Sequence, residues 1–261
     1  MLLALIVATI HLALSHVPFS EAPAELFPEG PIRIVLVGDS TVREYLPEDD
    51  MKGWGQYLAE YFDDQVTVTN LAKDGASTKT FIAEGLWDAA LAAAPHFVLI
   101  QLGHNDSRNR NSPVSTEADS EFRDNLRRFV DEARAAHATP VLVTPMHRRT
   151  FHEDGTLISR MDRHVAAIRT VAAEQRVGLV DLYAATRPLF ENLGPAGLEQ
   201  YANRPGDYTH FNEQGARLLA DLVMAELPSS ARGLRAYLLE DHGPRAPAHF
   251  AGQASQAVPA H

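Results

Sequence analysis

Short runs of apolar, largely β-branched residues alternate along the chain with longer amphipathic stretches. The runs predict five strands, at residues 32–37, 66–70, 97–102, 140–144 and 177–182. Their nearly continuous apolar character is typical of strands that are covered on both faces, as in a parallel sheet. The pattern therefore predicts a sheet that is buried between two layers.

Helices are predicted where apolar residues recur three and four positions apart. The clearest helix is expected at 120–137, with similar patterns at 54–62, 157–174 and 213–227. In the first of these, one face collects Phe122, Leu126, Phe129, Val130 and Ala133. Strands that alternate with helices predict a single three-layer α/β domain. In such a domain the ligand site is expected beyond the carboxyl ends of the strands.

The two ends of the chain differ from this pattern. Residues 2–10 are wholly apolar or small, and the run is too short to span a bilayer. We expect residues 1–15 to be a secretory signal peptide, cleaved before His16 or within 22–24, with a buried N-terminal helix as the alternative. Residues 243–261, rich in Ala, Pro, Gly and Gln, are predicted to be a disordered tail. The folded domain is therefore expected over residues 28–240.

Composition excludes several classes of protein. The 261 residues are 45% hydrophobic and 22% charged, which is typical of a globular chain. The formal net charge of −11 would repel a phosphate backbone, so we expect no nucleic-acid partner. The chain has no cysteine, which excludes disulfides, cysteine-based metal sites and a cysteine nucleophile.

Polar residues that could take part in catalysis follow the predicted strands. Gly-Asp-Ser-Thr-Val at 38–42 comes after the first strand, a polar loop at 70–78 after the second, and Gly-His-Asn-Asp at 103–106 after the third. Asp-Tyr-Thr-His-Phe-Asn at 207–212 precedes the last long helix. Each segment alone could be an ordinary turn or helix cap. Their equivalent positions predict that they meet at one edge of the sheet.

These segments could supply nucleophilic catalysis. The Ser40 hydroxyl needs a base to take its proton, and His210 is the candidate. Asp207 stands three residues earlier, close enough to orient the imidazole. Attack on a carbonyl places negative charge on oxygen, which requires preorganised hydrogen-bond donors. The candidate donors are the backbone N–H groups of Ser40 and Gly75 and the side-chain amide of Asn105.

At this point the chain resembles the SGNH (GDSL-like) hydrolases. The four characteristic blocks occur in order, with Ser40 in GDS, Gly75, Asn105 in GHND and His210 in D-x-x-H. Within that family the closest similarity is to the rhamnogalacturonan acetylesterases, carbohydrate esterase family 12. The segments that carry this similarity are GWGQ at 53–56, STKTF at 77–81, VLIQLGHND at 98–106, PVLVTPMHRRTF at 140–151 and DYTHF at 207–211.

The resemblance covers residues 32–227 and implies a fold, a reaction and roles. The fold would be a three-layer α/β/α flavodoxin-like sandwich with a five-stranded parallel sheet. The protein would be a serine esterase that removes O-acetyl groups from a polysaccharide such as rhamnogalacturonan (pectin) through an acetyl-enzyme on Ser40, with no cofactor. One departure puts the substrate in doubt, because Ala76 replaces an arginine that the family usually has in its second block.

Other residues could contact a polysaccharide. Trp54 could stack on a sugar ring or belong to the core. Arg148 and Arg149 could bind a uronate carboxylate, and Lys73 and Lys79 could complete a positive rim. We expect no metal, because the His-x4-His spacing at 147–152 matches no compact zinc pattern.

Two other functions remain open at the level of sequence. One is a different short-chain ester hydrolase of the same fold, such as an acetylxylan esterase, a lipase or a thioesterase. The other is a carbohydrate-binding protein without catalysis. Together with the signal peptide, the interpretation as a polysaccharide O-acetylesterase predicts a monomeric enzyme that is secreted or periplasmic. Its partner would be an acetylated polysaccharide, and it would have no stable membrane insertion after cleavage of the signal peptide.

Overall fold

A computed structural model describes residues 30–239. The predicted signal peptide and tail lie outside these residues. Five parallel strands form one sheet: β1 (Ile32–Gly38), β2 (Val66–Asn70), β3 (Phe97–Gln101), β4 (Thr139–Val143) and β5 (Gly178–Val180). Their spatial order is β2-β1-β3-β4-β5, the flavodoxin-like order of a doubly wound sheet. The predicted fold class is therefore confirmed.

Alternate residues of the strands point into two apolar layers. Val35, Val98 and Ile100 face one layer, together with Leu142. The helices on that side are α1 (Thr78–Ala83), α2 (Leu86–Ala92), α3 (Arg123–Ala135) and α4 (Asp162–Gln175). Ile34, Leu36 and Leu99 face the opposite layer, with α5 (Leu182–Glu199) and α6 (Glu213–Ser230). Covering on both faces explains why the strands read as continuous apolar runs.

The structure refines several sequence predictions. The segment predicted at 54–62 is a 3₁₀ helix, Trp54–Tyr61, and the helix predicted at 120–137 begins as a π-helical turn, Ala118–Phe122, before α3. The short helices α1 and α2 and the long helix α5 were not predicted. Pro188, Pro195 and a kink at Gly194 interrupt α5, so its sequence lacks an unbroken helical period. The fifth predicted strand was too long, because Leu182 already begins α5.

The sheet order determines where a site can form. The chain runs from β1 to β2 on one side and returns to β3 on the other, so the loops after β1 and β3 diverge. Ligand-binding crevices form at this point of reversal, beyond the carboxyl ends of the strands. Ser40 follows β1 and Asn105 follows β3, which places both at this crevice. Over residues 30–239, no helix is long and apolar enough to cross a membrane.

Candidate active site

Three side chains from distant parts of the chain form a hydrogen-bonded line. The Ser40 Oγ lies 2.9 Å from Nε2 of His210, and Nδ1 of His210 lies 2.9 Å from Oδ2 of Asp207. The carboxylate can only accept, so Nδ1–H donates to Asp207 and Nε2 is left free to accept from the serine hydroxyl. This tautomer is the one in which the imidazole can take the serine proton.

Asp207 is held as an anion by its own turn. Its Oδ1 accepts hydrogen bonds from the backbone N–H groups of Thr209 and His210, each at 2.9 Å. Burial alone would raise the pKa of Asp207, but these two N–H groups and the His210 ring outweigh it and bring the pKa to about 2. The carboxylate therefore remains ionised over the whole pH range in which a neutral imidazole exists.

Arg149 stabilises this turn through hydrogen bonds to its backbone. Nη2 of Arg149 donates to the carbonyl oxygen of Asp207 at 2.6 Å and to the carbonyl oxygen of His210 at 2.8 Å. Its guanidinium lies 4.1 Å from the ring centre of Phe211, and the residue is only 5% exposed. The predicted contact of Arg149 with substrate is therefore wrong, because the protein encloses the guanidinium: Nη2 donates to these two carbonyl oxygens, and Nη1 is buried without a hydrogen-bond partner.

The expected oxyanion donors surround one small cavity. Ser40, Gly75 and Asn105 all line a space of about 270 Å³ beside His210. Gly75 has a φ of +71°, a conformation that glycine adopts without steric cost. Asn105 donates one amide hydrogen to the carbonyl oxygen of Ala76 at 2.9 Å, which fixes the amide and leaves its second hydrogen available. The three predicted groups are thus brought together.

A buried polar chain supports the nucleophile loop. The Asp39 carboxylate accepts from the backbone N–H and the hydroxyl of Thr41, at 2.9 and 2.7 Å. The Thr41 hydroxyl accepts from Gln101 at 2.8 Å, and the Gln101 carbonyl accepts from the Trp54 indole at 2.8 Å. Because Trp54 is 1% exposed and its N–H is bonded, the predicted stacking on a sugar is wrong.

Asp39 also connects the first and third blocks. Its Oδ2 lies 3.4 Å from Nδ1 of His104, and Nε2 of His104 lies 3.1 Å from the carbonyl oxygen of Met146. Burial acts to raise the pKa of Asp39, but His104 and Thr41 more than offset it and leave the pKa below its ordinary value. The motif Gly-Asp-Ser thus supplies a charged anchor beside the nucleophile.

The sequence did not predict a role for Tyr45, which contacts the backbone of the nucleophile Ser40. Its hydroxyl lies 2.9 Å from the carbonyl oxygen of Ser40 and 2.5 Å from Oδ1 of Asp74. Arg43 forms an ion pair with the same Asp74 carboxylate. This cluster joins the nucleophile loop to the loop that carries Gly75. Nothing in the sequence around position 45 identifies it, since the connection depends on the folded path of the loop.

Asp106, the last residue of the third block, organises the second block. It is fully buried and accepts from the backbone N–H of Thr78 at 3.0 Å, from the Thr78 hydroxyl at 2.6 Å and from the Thr116 hydroxyl at 2.8 Å. Burial raises the pKa of Asp106 to about 6, although the hydrogen bonds lower it. Asp106 therefore links the Asn105 loop to the Gly75 loop, which precedes α1.

The predicted cationic groups have different surroundings. Lys73 forms an ion pair with Glu84, and Nζ of Lys79 donates to the carbonyl oxygen of Ser115 at 2.8 Å with Glu121 3.7 Å away. Both lysines have acidic partners and neither lines the cavity at Ser40, so the structure does not bring the predicted lysine rim to the site. Arg148 lines the cavity at Ser40, and its contact with a uronate carboxylate stays a prediction.

The geometry defines a class of chemistry before any comparison. A serine hydroxyl, a correctly oriented imidazole, an ionised carboxylate and a fixed amide donor at one crevice suit acyl transfer through a serine nucleophile. Between residues 30 and 239, no group of three or more His, Asp or Glu residues is arranged to hold a metal ion.

Comparison with known proteins assigns the family. The model of the GDSL-like lipase/acylhydrolase family matches residues 36–218. The chain is 36% identical over 228 residues to the rhamnogalacturonan acetylesterase RhgT of Bacillus subtilis, an alignment that covers 82% of this chain and 97% of RhgT. The chain belongs to the GDSL-like lipase/acylhydrolase family, and it is a carboxylic ester hydrolase.

Solved structures agree with the fold. The protein YxiM of Bacillus subtilis superposes with a TM-score of 0.68 at 31% identity, over 79% of this chain and 58% of that chain. Axe2, an acetylxylan esterase from Geobacillus stearothermophilus, superposes with a TM-score of 0.61 at 22% identity, over 76% of this chain and 95% of that chain. At this lower identity the second likeness shows the fold alone.

Proposed function

We propose that the protein is a serine acetylesterase that removes O-acetyl groups from rhamnogalacturonan through an acetyl-enzyme on Ser40. The observation that carries the proposal is the line of hydrogen bonds from Ser40 through His210 to Asp207, open to a cavity of about 270 Å³. That volume suits a small acyl group. Met51 is the one large apolar residue that lines it, so it offers no extended apolar groove for a long acyl chain.

The reaction has two halves. His210 takes the Ser40 proton as the hydroxyl attacks the acetyl carbonyl carbon, and the resulting oxyanion is stabilised by the N–H groups of Ser40 and Gly75 and the amide of Asn105. The imidazolium, stabilised by Asp207, returns the proton to the sugar oxygen as the ester bond breaks. Water then attacks the acetyl-enzyme with His210 again as the base, which releases acetate and restores Ser40.

Two observations support a pectic polymer as the substrate. The relative RhgT, which shares 36% identity over 82% of this chain, is named for rhamnogalacturonan. In addition, four arginines, Arg108, Arg148, Arg160 and Arg204, line a depression beside the catalytic cavity, which suits an acidic polysaccharide more than a neutral one. An extracellular polymer would also explain a signal peptide over residues 1–15, and we extend the proposal to export as a monomer.

Acetate release from three substrates tests this function. Acetylated rhamnogalacturonan, acetylated xylan and a short synthetic acetyl ester are incubated with the wild type and with Ser40→Ala. We expect the pectic polymer to be the best substrate, and Ser40→Ala to lose roughly 10⁶-fold in kcat, as in other serine triads. A loss below tenfold would exclude Ser40 as nucleophile.

The same experiment separates the alternatives. Equal or faster release from xylan would assign the protein to a neutral polysaccharide. Hydrolysis of the synthetic ester alone would retain the esterase and exclude both polymers. Binding of polysaccharide without release of acetate from any substrate would instead indicate a carbohydrate-binding protein.

A further inference from the structure

A second, larger depression adjoins the catalytic cavity. It has a volume of about 880 Å³, and four arginines line it: Arg108, Arg148, Arg160 and Arg204. Arg108 and Arg148 line the catalytic cavity as well, so the two spaces adjoin at these residues. We call the larger space the arginine groove. A polymer whose acetyl group enters the catalytic cavity would place a neighbouring sugar in this groove.

The positive charge of the arginine groove is only partly neutralised by the protein, because Asp207 is the one acidic residue among its lining residues. Within residues 30–239, the side chains of Arg108 and Arg160 have no hydrogen bond and no acidic partner within 4 Å. Arg148 donates only to neutral oxygens, the Thr209 hydroxyl at 2.9 Å and the His104 carbonyl at 3.0 Å. Arg204 reaches a carboxylate only at 4.0 Å, and that carboxylate already holds the catalytic imidazole.

Several arginines elsewhere on the surface have acidic partners. Arg217 pairs with Glu60 and Glu213, and Arg169 pairs with Asp181. The whole chain carries a net charge of −11, so acidic partners are plentiful. Unpaired guanidinium groups concentrated in one depression therefore create a local positive potential on an acidic protein, which favours an anionic ligand.

The arginines of the groove repel one another, and this repulsion acts on the pKa of Arg148. Burial lowers the pKa of Arg148 most, and the neighbouring Arg108 and Arg160 lower it further, while Asp39 and Asp207 oppose the decrease. A bound anion would relieve this repulsion. A guanidinium can also bind a carboxylate through two parallel hydrogen bonds, which adds geometric selectivity to the charge.

An aromatic ring completes the arginine groove. Tyr208 lines it and is 53% exposed, one of two large apolar side chains in the described part of the chain that are left open to solvent. Its position between Asp207 and Thr209 is set by the catalytic turn, so the ring is held next to the triad. An exposed ring of this kind can pack against the apolar face of a sugar while its hydroxyl stays in water.

We infer that the arginine groove is a subsite for a uronic acid residue of the substrate, with its carboxylate at Arg108, Arg148 and Arg160 and its ring against Tyr208. The inference rests on the proposed function, because it names the sugar that lies beside the acetylated residue. It replaces the predicted contacts of Trp54, Lys79 and Arg149, and it retains that of Arg148.

Binding measurements without turnover test the subsite. Calorimetric titration uses Ser40→Ala with non-acetylated oligogalacturonate, the methyl-esterified oligosaccharide and inorganic phosphate as separate probes. The groove variant carries Arg108→Gln and Arg160→Gln. The matched control carries Arg232→Gln and Arg235→Gln, two exposed arginines that lack an acidic partner within residues 30–239. Both variants lose two positive charges.

We expect the groove variant to bind oligogalacturonate roughly tenfold or more weakly, as for loss of charge-assisted hydrogen bonds, and the control to bind within twofold of its parent. Methyl esterification should weaken binding to the parent by a similar factor. Equal losses in the two variants, or no effect of esterification, would overturn the inference. Phosphate binding as tight as that of the oligosaccharide would also overturn it, by reducing the groove to a general anion site.

Turnover distinguishes this inference from the proposed function. In the active enzyme, the groove variant should lose kcat/KM on acetylated rhamnogalacturonan mainly through a higher KM, and by a larger factor than on a neutral acetyl ester. If the wild type releases no acetate from the polymer, the proposed function fails whatever the titration shows. If it releases acetate but the two variants behave alike, only the subsite fails.

Discussion

Replacement of Arg149 by methionine separates a role in the triad from a role in substrate binding. Methionine keeps an unbranched apolar stem that can pack on Phe211 but removes the two donors to the carbonyl oxygens of Asp207 and His210. The charge is present before mutation, because burial lowers the pKa of Arg149 only to about 10. The change therefore removes two charge-assisted hydrogen bonds at 2.6 and 2.8 Å.

The size of the effect follows from these bonds. A hydrogen bond to a charged group contributes about 1.5–3 kcal/mol, so we expect Arg149→Met to lower the free energy of unfolding by about 4 kcal/mol. For a domain of this size that loss corresponds to a decrease in Tm of about 8–16 °C. Without these hydrogen bonds the turn that carries His210 also shifts, and a displacement of about 1 Å costs on the order of 100-fold in rate.

The assay compares two substrates below the new Tm. Because Arg149 acts through the triad, Arg149→Met should lower kcat by a similar factor on acetylated rhamnogalacturonan and on a short neutral acetyl ester. Arg149→Lys, which keeps a positive donor group but not the planar guanidinium, should recover part of both the Tm and the kcat. A defect confined to the KM for the acidic polymer would refute the reasoning and restore Arg149 as a substrate contact.

Three further predictions concern the triad and its neighbours. Asp207→Asn should lower kcat by about 10³–10⁴-fold through loss of the correct imidazole tautomer; a loss below tenfold in steady-state kinetics would contradict this role. Asn105→Ala should cost about 10²–10³ in kcat through loss of an oxyanion donor, with substrate affinity largely kept; a loss of affinity alone would assign Asn105 to binding. Burial raises the pKa of Asp106 from 3.8 to about 6, so its contribution to stability is greatest below pH 4 and declines as the pH rises to 6. The unfolding free energy of Asp106→Asn relative to that of the wild type should therefore rise between pH 4 and pH 6. A difference that stays constant in denaturant titrations across this range would contradict the prediction.

The strands and the location of the site could be predicted because they depend on local patterns. A strand covered on both faces leaves a continuous apolar run, and the five runs correspond to β1 to β5. Polar blocks at the ends of parallel strands converge by topology, which is why Ser40, Gly75 and Asn105 could be grouped before their distances were known. His210 lies between α5 and α6, and its spacing from Asp207 identified it instead. The resemblance to a known family added the assignment of roles.

The remaining features depend on tertiary contacts that leave no local trace. Trp54 and Arg149 are residue types that often bind sugars or acids, and only their burial shows that they are internal. Tyr45 and Gln101 connect segments far apart in sequence, so neither forms a motif. The first glycine of the GWGQ motif is explained only by the fold. A Cβ atom at Gly53 would lie 2.2 Å from the carbonyl oxygen of Arg43.

Trapping the covalent intermediate tests the central claim most directly. The enzyme is mixed with a fast acetyl donor, quenched in acid within the first turnovers, digested and mapped by mass spectrometry, with Ser40→Ala treated in parallel. We predict one acetyl group on the peptide that contains Ser40 in the wild type and none in the variant. Acetylation at another residue, or rapid turnover by Ser40→Ala, would contradict the account of the hydrogen-bonded line from Ser40 through His210 to Asp207 as the catalytic machinery.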